Sequence, residues 1–386
     1  MNLTNSSNPI NLLLIAGARP NFMKIAPIIK AISNRNNCGN RSIEYKLVHT
    51  GQHYDINMSQ VFFKELDIPS PDINLEVGSS SHAVQTANIM IRFEGICLQE
   101  KPDYVVVVGD VNSTMACTLV AAKMGIKVAH VEAGLRSFDR TMPEEINRIV
   151  TDSLADILFT PSTDADENLI KEGIPKSKIK FVGNIMIDTL IANLEKARNK
   201  KTHIRLGLKE KEFVYVTLHR PSNVDNKATL NTIISDLDRL STSLPVCFPL
   251  HPRTMKMLTQ YGISCGSNKN LKLIDPIGYH DSICLAEQAR FVLTDSGGLQ
   301  EETTFFQTPC LTLRPNTERP ITITEGSNKL TNIESLWSDI EELLKGNTKK
   351  GKTPDLWDGH TAERIIEYML GSWEAMRPGG LEAGKL

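Results

Sequence analysis

The chain has 386 residues, a formal charge of −2, 40% hydrophobic and 23% charged residues. That length predicts two or three domains with substantial cores. The near-neutral charge argues against nonspecific nucleic-acid binding, which needs a basic surface, and no apolar run approaches the roughly 20 residues that a membrane-spanning helix requires. Residues 1–9 are polar and lack the basic and apolar regions of a signal peptide. The seven cysteines (Cys38, Cys97, Cys117, Cys247, Cys265, Cys284 and Cys310) are scattered, with no C-x-x-C pair. Reduced, buried thiols in a cytoplasmic protein are the expectation, with neither zinc nor disulfides.

In chain order, residues 10–16 form an apolar run that ends at Gly17-Ala18-Arg19-Pro20 and passes into a helical pattern over 22–32. A second strand, 45–49, ends at Thr50-Gly51-Gln52-His53, and a helix with Phe62, Phe63 and Leu66 on one face follows. Residues 83–99 read as an amphipathic helix. Residues 104–108 are a nearly continuous β-branched run, the composition of a central parallel strand. It ends at Gly109-Asp110 and is followed by a helix of small residues to 124. The next strand, 127–131, ends at Glu132-Ala133-Gly134. The helix over 143–155 carries Glu144 and Glu145 in its first turn, where acids suit the dipole. Strands at 156–160 and 179–182 close this half.

The second half repeats the grammar. A strand at 213–218 ends at His219-Arg220-Pro221, a helix spans 228–240, and a strand at 246–250 ends at His251-Pro252-Arg253. A strand at 271–274 precedes a helix around 282–288. Residues 291–293 lead into Thr294-Asp295-Ser296-Gly297-Gly298, then a helix, then a strand at 310–313 before Arg314. Residues 333–344 and 362–370 read as late helices and 377–386 as a loose tail. The Lys-, Arg-, Asn- and Glu-rich stretch 195–212 is the weakest region between the halves, and the boundary is expected just ahead of it, after Gly183. Strands alternating with helices at this spacing mean βαβ units. The fold class expected is α/β, with two Rossmann-like doubly wound domains facing a cleft.

Polar and charged residues cluster just past successive strand ends: Arg19, His53, Asp110, Glu132, His219, His251, Asp295 and Ser296. In open α/β sheets the ligand crevice lies outside those ends. Asp295 and Ser296 are N-cap residues, with Gln300 and Glu301 where a capping partner would sit. A helix that opens on Gly297 and Gly298 leaves backbone N–H groups free beside the positive end of its dipole, an anion site. Arg19, held in a loop with Pro20, offers a fork of donors to a phosphate or carboxylate. Glu132 follows an apolar strand end, so its carboxylate is expected to be desolvated and shifted toward the range of a general base. His219 and His251 lack metal-ligand spacing. A phosphate site in the second half and acids mainly in the first suit a nucleotide-bound substrate, for a glycosyltransferase or a nucleotide-sugar isomerase alike.

The ordered motifs reach further. Gly17-Ala18-Arg19-Pro20, Gly51-Gln52-His53, Gly109-Asp110-Val111-Asn112-Ser113-Thr114, His130-Val131-Glu132-Ala133-Gly134-Leu135-Arg136-Ser137, Pro143-Glu144-Glu145-Ile146-Asn147-Arg148, His219-Arg220, the stretch 294–302 and Thr317-Glu318-Arg319-Pro320 follow one another in the chain. Together, over about residues 11–370, they resemble the non-hydrolysing UDP-N-acetylglucosamine 2-epimerases. The resemblance implies the glycosyltransferase-B-type fold: residues 1–183 carrying the catalytic acids, 184–361 binding UDP, and 362–386 providing a helix that crosses back to the first domain, and a tail. It also implies interconversion of UDP-GlcNAc and UDP-ManNAc through 2-acetamidoglucal in a cytoplasmic homodimer, with a UDP-sugar as partner and neither metal nor NAD as cofactor. Asp110, Glu132, Glu144 and His219 match the catalytic residues. Arg19, Lys24, Arg148, His251, Ser296, Gly297, Gly298, Glu302 and Arg319 match the substrate- and UDP-binding set, with Glu302 on the ribose. There are departures: this chain has Gly-Ala-Arg-Pro-Asn where many bacterial members have Gly-Thr-Arg-Pro-Glu, and Tyr54 where they have an arginine near an activating site. The Gly-Ala-Arg-Pro and Gly-Gln-His-Tyr-Asp stretches also resemble a sister group acting on UDP-2,3-diacetamido-2,3-dideoxyglucuronate, whereas Arg319 favours the GlcNAc reading.

Overall fold

The computed structural model describes residues 9–38, 42–51, 68–264 and 268–376, with the side chains of Arg19 and Met376 excepted. The motif residues Gln52 and His53, the helix expected around Phe62 and the tail at 377–386 therefore lie outside the described residues. The chain divides into two compact units, one made of 1–189 with 358–386 and the other of 190–357.

The first unit is built on seven parallel strands: β1 (Ile10–Ala16), β2 (Ile43–His49), β3 (Ile73–Asn74), β4 (Tyr104–Val108), β5 (Lys127–Val131), β6 (Ile157–Thr160) and β7 (Ile179–Phe181). They lie in the order β3-β2-β1-β4-β5-β6-β7. Its helices are α1 (Arg19–Asn37), α2 (His82–Glu100), α3 (Asn112–Lys123), α4 (Pro143–Leu154) and α5 (Thr163–Lys171), followed by α6 (Ile185–Lys200), within which the chain passes to the second unit. The valines of β4 cannot be solvated on either face, so all five residues of the strand are buried. Val105 and Val107 pack with Ile89 and Phe93 of α2 and Val120 of α3. Each such side chain taken from water contributes about 1.5–3 kcal/mol, and Val107→Asp would put a charge where no partner exists for it.

The second unit has six parallel strands: β8 (Val214–Thr217), β9 (Val246–Pro249), β10 (Leu271–Ile274), β11 (Phe291–Thr294), β12 (Cys310–Leu313) and β13 (Asn328–Thr331), in the order β10-β9-β8-β11-β12-β13. Its longer helices are α7 (Lys227–Leu240), α8 (Pro252–Tyr261), α9 (Tyr279–Gln288), α10 (Gly297–Phe306) and α11 (Leu336–Leu344). The period-2 alternation of a strand separates its residues between two helix layers. Val214 and Val216 pack with Ile233, Ile234 and Leu237 of α7, whereas Tyr215 packs with Leu285 and Ala286 of α9.

α12 (Thr361–Met376) returns to the first unit and packs on α1, with Tyr368 edge-on to Phe159. Its first N–H groups, on Thr361 and Ala362, are capped by the carboxylate of Asp188 at 3.2 and 2.7 Å. Burial raises the pKa of Asp188, only partly offset by those N–H donors.

Each sheet reverses its winding once, between β1 and β4 in the first and between β8 and β11 in the second. These are the switch points where a parallel sheet opens a crevice at its C-terminal edge. The residues that follow β1, β4, β8 and β11 include candidate groups of both halves, while Glu132 and His251 follow the neighbouring β5 and β9.

Candidate active site

In the first unit, Glu132 and Asp110 follow adjacent strands whose last residues, Val131 and Val108, are register partners. Glu132 has φ +71°, a left-handed conformation costly for a side chain with a Cβ. Its backbone N–H donates to Phe159 O on β6 at 3.1 Å, which helps to hold the turn. The carboxylate is buried, as expected, but a buried ammonium, that of Lys24 on α1, pairs with it. Burial and an adjacent cation act in opposite directions on a carboxylate's proton affinity, so the lone desolvated acid expected from the sequence is replaced by an ion pair. Lys24 reaches it over Gly109, where φ is +66° and a Cβ would lie 2.7 Å from the lysine Nζ.

Asp110 is partly exposed and accepts from Nη1 of the buried Arg148 on α4. Arg148 Nη2 donates to Glu145 at 2.7 Å. Asn147, one residue earlier, donates to the backbone carbonyl of Asp110 at 2.8 Å. Glu144 and Glu145 have separate duties. Glu144 is exposed on the first turn of α4. Glu145 is buried and accepts from Ser137 N, Ser137 Oγ and Phe138 N at 2.9–3.0 Å. Burial pushes the Glu145 carboxyl up, but the Ser137 N–H and Arg148 outweigh it and leave it below its ordinary value.

One residue of the departing motif has a local reason. Asn21 is buried, its Oδ1 accepting from Gly17 N and Ala18 N and its Nδ2 donating to Val108 O at 2.8 Å. It braces the β1–α1 loop against the end of β4. Arg19 opens α1.

Behind these acids lies a buried network that the sequence reading did not single out. His130 of β5 is fully buried, its Nδ1 2.6 Å from Asp152 Oδ1 and its Nε2 2.9 Å from Gly109 O. Asp152 Oδ2 accepts from Gly134 N at 3.1 Å and from Arg136 at 2.7 Å, and Arg136 also binds Glu172. Burial raises Asp152, but His130 and Arg136 together bring it below its ordinary value.

In the second unit, α10 begins at Gly297 with Ser296 as N-cap, and no side chain caps it. The capping arrangement expected from the sequence is absent. Asp295 turns instead to the segment that follows β8, where it accepts from His219 N, Arg220 N, Asn223 Nδ2 and His219 Nδ1. Burial pushes the Asp295 carboxyl up, and the His219 bond, with the other donors, brings it below the usual value. Gln300 donates back to Ser296 O at 3.1 Å and accepts from Thr317, while Glu301 pairs with Arg319 at 2.8 Å. A cap and a distant acceptor use the same residue types, so the sequence alone did not separate them.

The result is an uncapped helix start beside cations. A Cβ on Gly297 would meet Arg319 Nη1 at 2.8 Å, whereas nothing lies within 4 Å of one on Gly298. Arg319 also pairs with Glu318, which binds Arg314 at 2.7 Å. His219 and His251 face each other with ring centroids 5.1 Å apart. His251 Nδ1 accepts from Arg253 N at 3.2 Å, so its neutral ring carries the hydrogen on Nε2. Burial, the neighbouring His219 and Arg253 keep its pKa below the ordinary value, with Asp295 opposing them. Glu302 is buried beside Glu301 and Tyr279; burial, then the Glu301 charge, push its pKa up to about 8. Among the described residues no cluster of three or more His, Cys, Asp or Glu could hold a metal ion, and no helix is long and apolar enough to cross a membrane.

Chemically, the first unit offers two acids, Asp110 and Glu132, each paired with a buried cation, and the second a helix start without a side-chain cap, beside Arg319, with the buried Glu302 on the same helix. Residues 36–370 match the family model described as UDP-N-acetylglucosamine 2-epimerase. The chain is 42% identical to a UDP-N-acetylglucosamine 2-epimerase of Methanocaldococcus jannaschii, covering 93% of this chain and 99% of that one. A crystal structure of the M. jannaschii UDP-GlcNAc 2-epimerase in complex with UDP-GlcNAc and UDP matches at a TM-score of 0.82, 42% identity and the same coverage. The chain is also 38% identical to a UDP-2,3-diacetamido-2,3-dideoxy-D-glucuronate 2-epimerase of Pseudomonas aeruginosa, over 93% of this chain and 99% of that one.

Proposed function

The chain belongs to the UDP-N-acetylglucosamine 2-epimerase family, whose members are isomerases, and we propose that it interconverts UDP-GlcNAc and UDP-ManNAc. The C2 proton is removed as the C1–O bond to UDP breaks, giving 2-acetamidoglucal. A proton then returns to the opposite face of C2 and UDP adds back at C1. No step of this elimination and re-addition transfers a hydride, so the chemistry calls for no NAD.

The observation that carries this reading is the pair of acids, Asp110 and Glu132, at the ends of adjacent strands, each held against a buried cation. A C2–H is a weak acid, so its base must be positioned beforehand and shielded from water. Asp110, Glu132 and Glu144 share the proton transfers on the two faces of C2. Lys24 and Arg148 hold two of these acids in place and contribute to substrate binding. The diphosphate takes the N–H groups at Gly297 and Gly298, and that of Ser296, which it shares with Thr294 Oγ1 at 3.0 Å, with Arg19, Arg319 and His251 as further donors. His219, oriented by Asp295 through Nδ1, supports the departing phosphate with its other ring nitrogen. Glu302 accepts from the ribose hydroxyls.

A second reading, epimerisation of the diacetamido uronate sugar at C2, is supported by the 38% identical relative. One assay separates the two. The protein incubated in deuterated water with UDP-GlcNAc should yield UDP-ManNAc labelled at C2; label appearing only when the diacetamido uronate sugar is supplied would transfer the assignment. Absence of exchange with either sugar would sink both. The same reading includes a cytoplasmic homodimer feeding polysaccharide synthesis, for which light scattering should give twice the chain mass.

A further inference from the structure

His130 has two ring nitrogens, both within hydrogen-bond distance of an oxygen: Nδ1 with the Asp152 carboxylate at 2.6 Å and Nε2 with the Gly109 carbonyl at 2.9 Å. A backbone carbonyl only accepts, so Nε2 must donate. A neutral ring would then leave Nδ1 as an acceptor facing Asp152, which would have to carry the proton itself. Asp152 already accepts from Arg136 and Gly134 through its other oxygen. Beside a guanidinium the proton belongs on the imidazole and not on the carboxylate.

The bonded carbonyl gives the ring its significance. Gly109 immediately precedes Asp110, and His130 lies two residues before Glu132 on the neighbouring strand. Both turns have positive φ, which glycine adopts freely at Gly109 but which costs a residue with a Cβ at Glu132, so the Glu132 turn is not held by local preference alone. The Asp152 end of the ring is anchored on α4, the helix that also fixes Asp110 through Asn147 and Arg148.

We propose that His130 is a positioning residue, donating from both ring nitrogens to Asp152 and to the Gly109 carbonyl, and that it sets the spacing of Asp110 and Glu132. This rests on the reading of those two acids as proton-transfer groups. His130 touches no substrate; it acts through the strand ends.

The test compares wild type with His130→Asn and His130→Gln. Asparagine keeps a donor near the position of Nδ1 and loses the one to Gly109; glutamine keeps a donor toward Gly109 and loses the one to Asp152. Deuterium exchange and epimerisation of UDP-GlcNAc, UDP affinity by calorimetry and melting temperature are measured for all three. His130→Asn should lose about tenfold to a hundredfold in kcat with KM and UDP affinity within about twofold of wild type, and His130→Gln should lose less. In protein labelled with 15N in its histidine rings, the signal that vanishes in both variants should show two protonated nitrogens. A nitrogen without a proton in that ring overturns the proposal whether or not the sugar is turned over. So does a wild-type kcat in His130→Asn, or a loss of kcat that merely follows a lower folded fraction. The parent reading is judged separately by Asp110→Asn and Glu132→Gln: normal exchange in both would remove those acids, whereas their inactivity beside a fully active His130→Asn would refute the positioning role alone.

Discussion

Lys24, on the second turn of α1, buries its ammonium against the carboxylate of Glu132 at the end of β5. The pair links the first helix of the chain to the acid that sits in a left-handed turn. Taking one partner away leaves the other charge in the interior. Lys24→Met should therefore cost about 3 kcal/mol in urea unfolding, and the double variant with Glu132→Gln should recover a good part of it. Glu132→Gln alone should keep UDP binding and lose most C2 exchange; near-normal turnover would remove Glu132 from the mechanism.

Gly298 offers a cleaner separation of stability from binding. A Cβ there meets nothing, so Gly298→Ala should leave the melting temperature unchanged or raise it, as alanine favours the helix by up to about 1 kcal/mol. UDP affinity, read by calorimetry, should fall by about tenfold or more, because the methyl group occupies the place of the phosphate oxygens. A variant that is stable and binds UDP normally would show that the diphosphate lies elsewhere.

Glu302 sets a pH dependence with two opposite signs. Its pKa in the folded chain is about 8 against an ordinary 4.5. The native state thus keeps a proton that the unfolded state has released, and this contribution to stability, fully present below about pH 4.5, is lost as pH rises to about 8. Binding runs the other way. An ionised Glu302 is the better acceptor for ribose hydroxyls, so UDP affinity should rise as pH goes from about 7 to about 9. Glu302→Gln should flatten both curves; a pH-independent wild-type affinity over that range would argue against the ribose role.

Asp295 and His219 form the second pairing with a catalytic reading. Asp295→Asn removes the carboxylate that orients the ring, and kcat should fall by about a hundredfold if His219 supports the leaving diphosphate. Calorimetry with UDP and thermal melting would separate that loss from simple unfolding.

Much of this arrangement could be read from the residues. The apolar runs at β1, β4, β5, β8, β9 and β11 are unambiguous, because strands buried on both faces admit little else. The switch-point residues followed from those strand ends. β13 escaped because Asn328 and Lys329 do not read as a buried strand, and β3 because two residues carry no period. α6 escaped because a Lys-, Arg- and Asn-rich second half masked a continuous helix, so the boundary expected after Gly183 falls just before its start. The pairing of Lys24 with Glu132, and of Asp295 with His219, join residues far apart in sequence. No local pattern encodes such a partner. Asp295 in particular has the residue type and position of a helix cap, and only its neighbours just past β8 reveal the other use.

Asp188 gives a further stability test. Asp188→Ala exposes the first N–H groups of α12, and the loss of this cap should cost about 1–2 kcal/mol, with faster amide exchange confined at first to residues 361–364.

That cap joins positions 174 residues apart, because all of the second unit lies between them in the chain. The order of synthesis follows. Residues 190–357 are complete, and free to pair their six strands, before α12 exists to be placed on α1. The first unit, whose strands emerge earliest, is thus the last to close, and it waits through that interval with the face of α1 uncovered. Shortening the chain ahead of Thr361 should accordingly leave the second unit whole and the first one exposed.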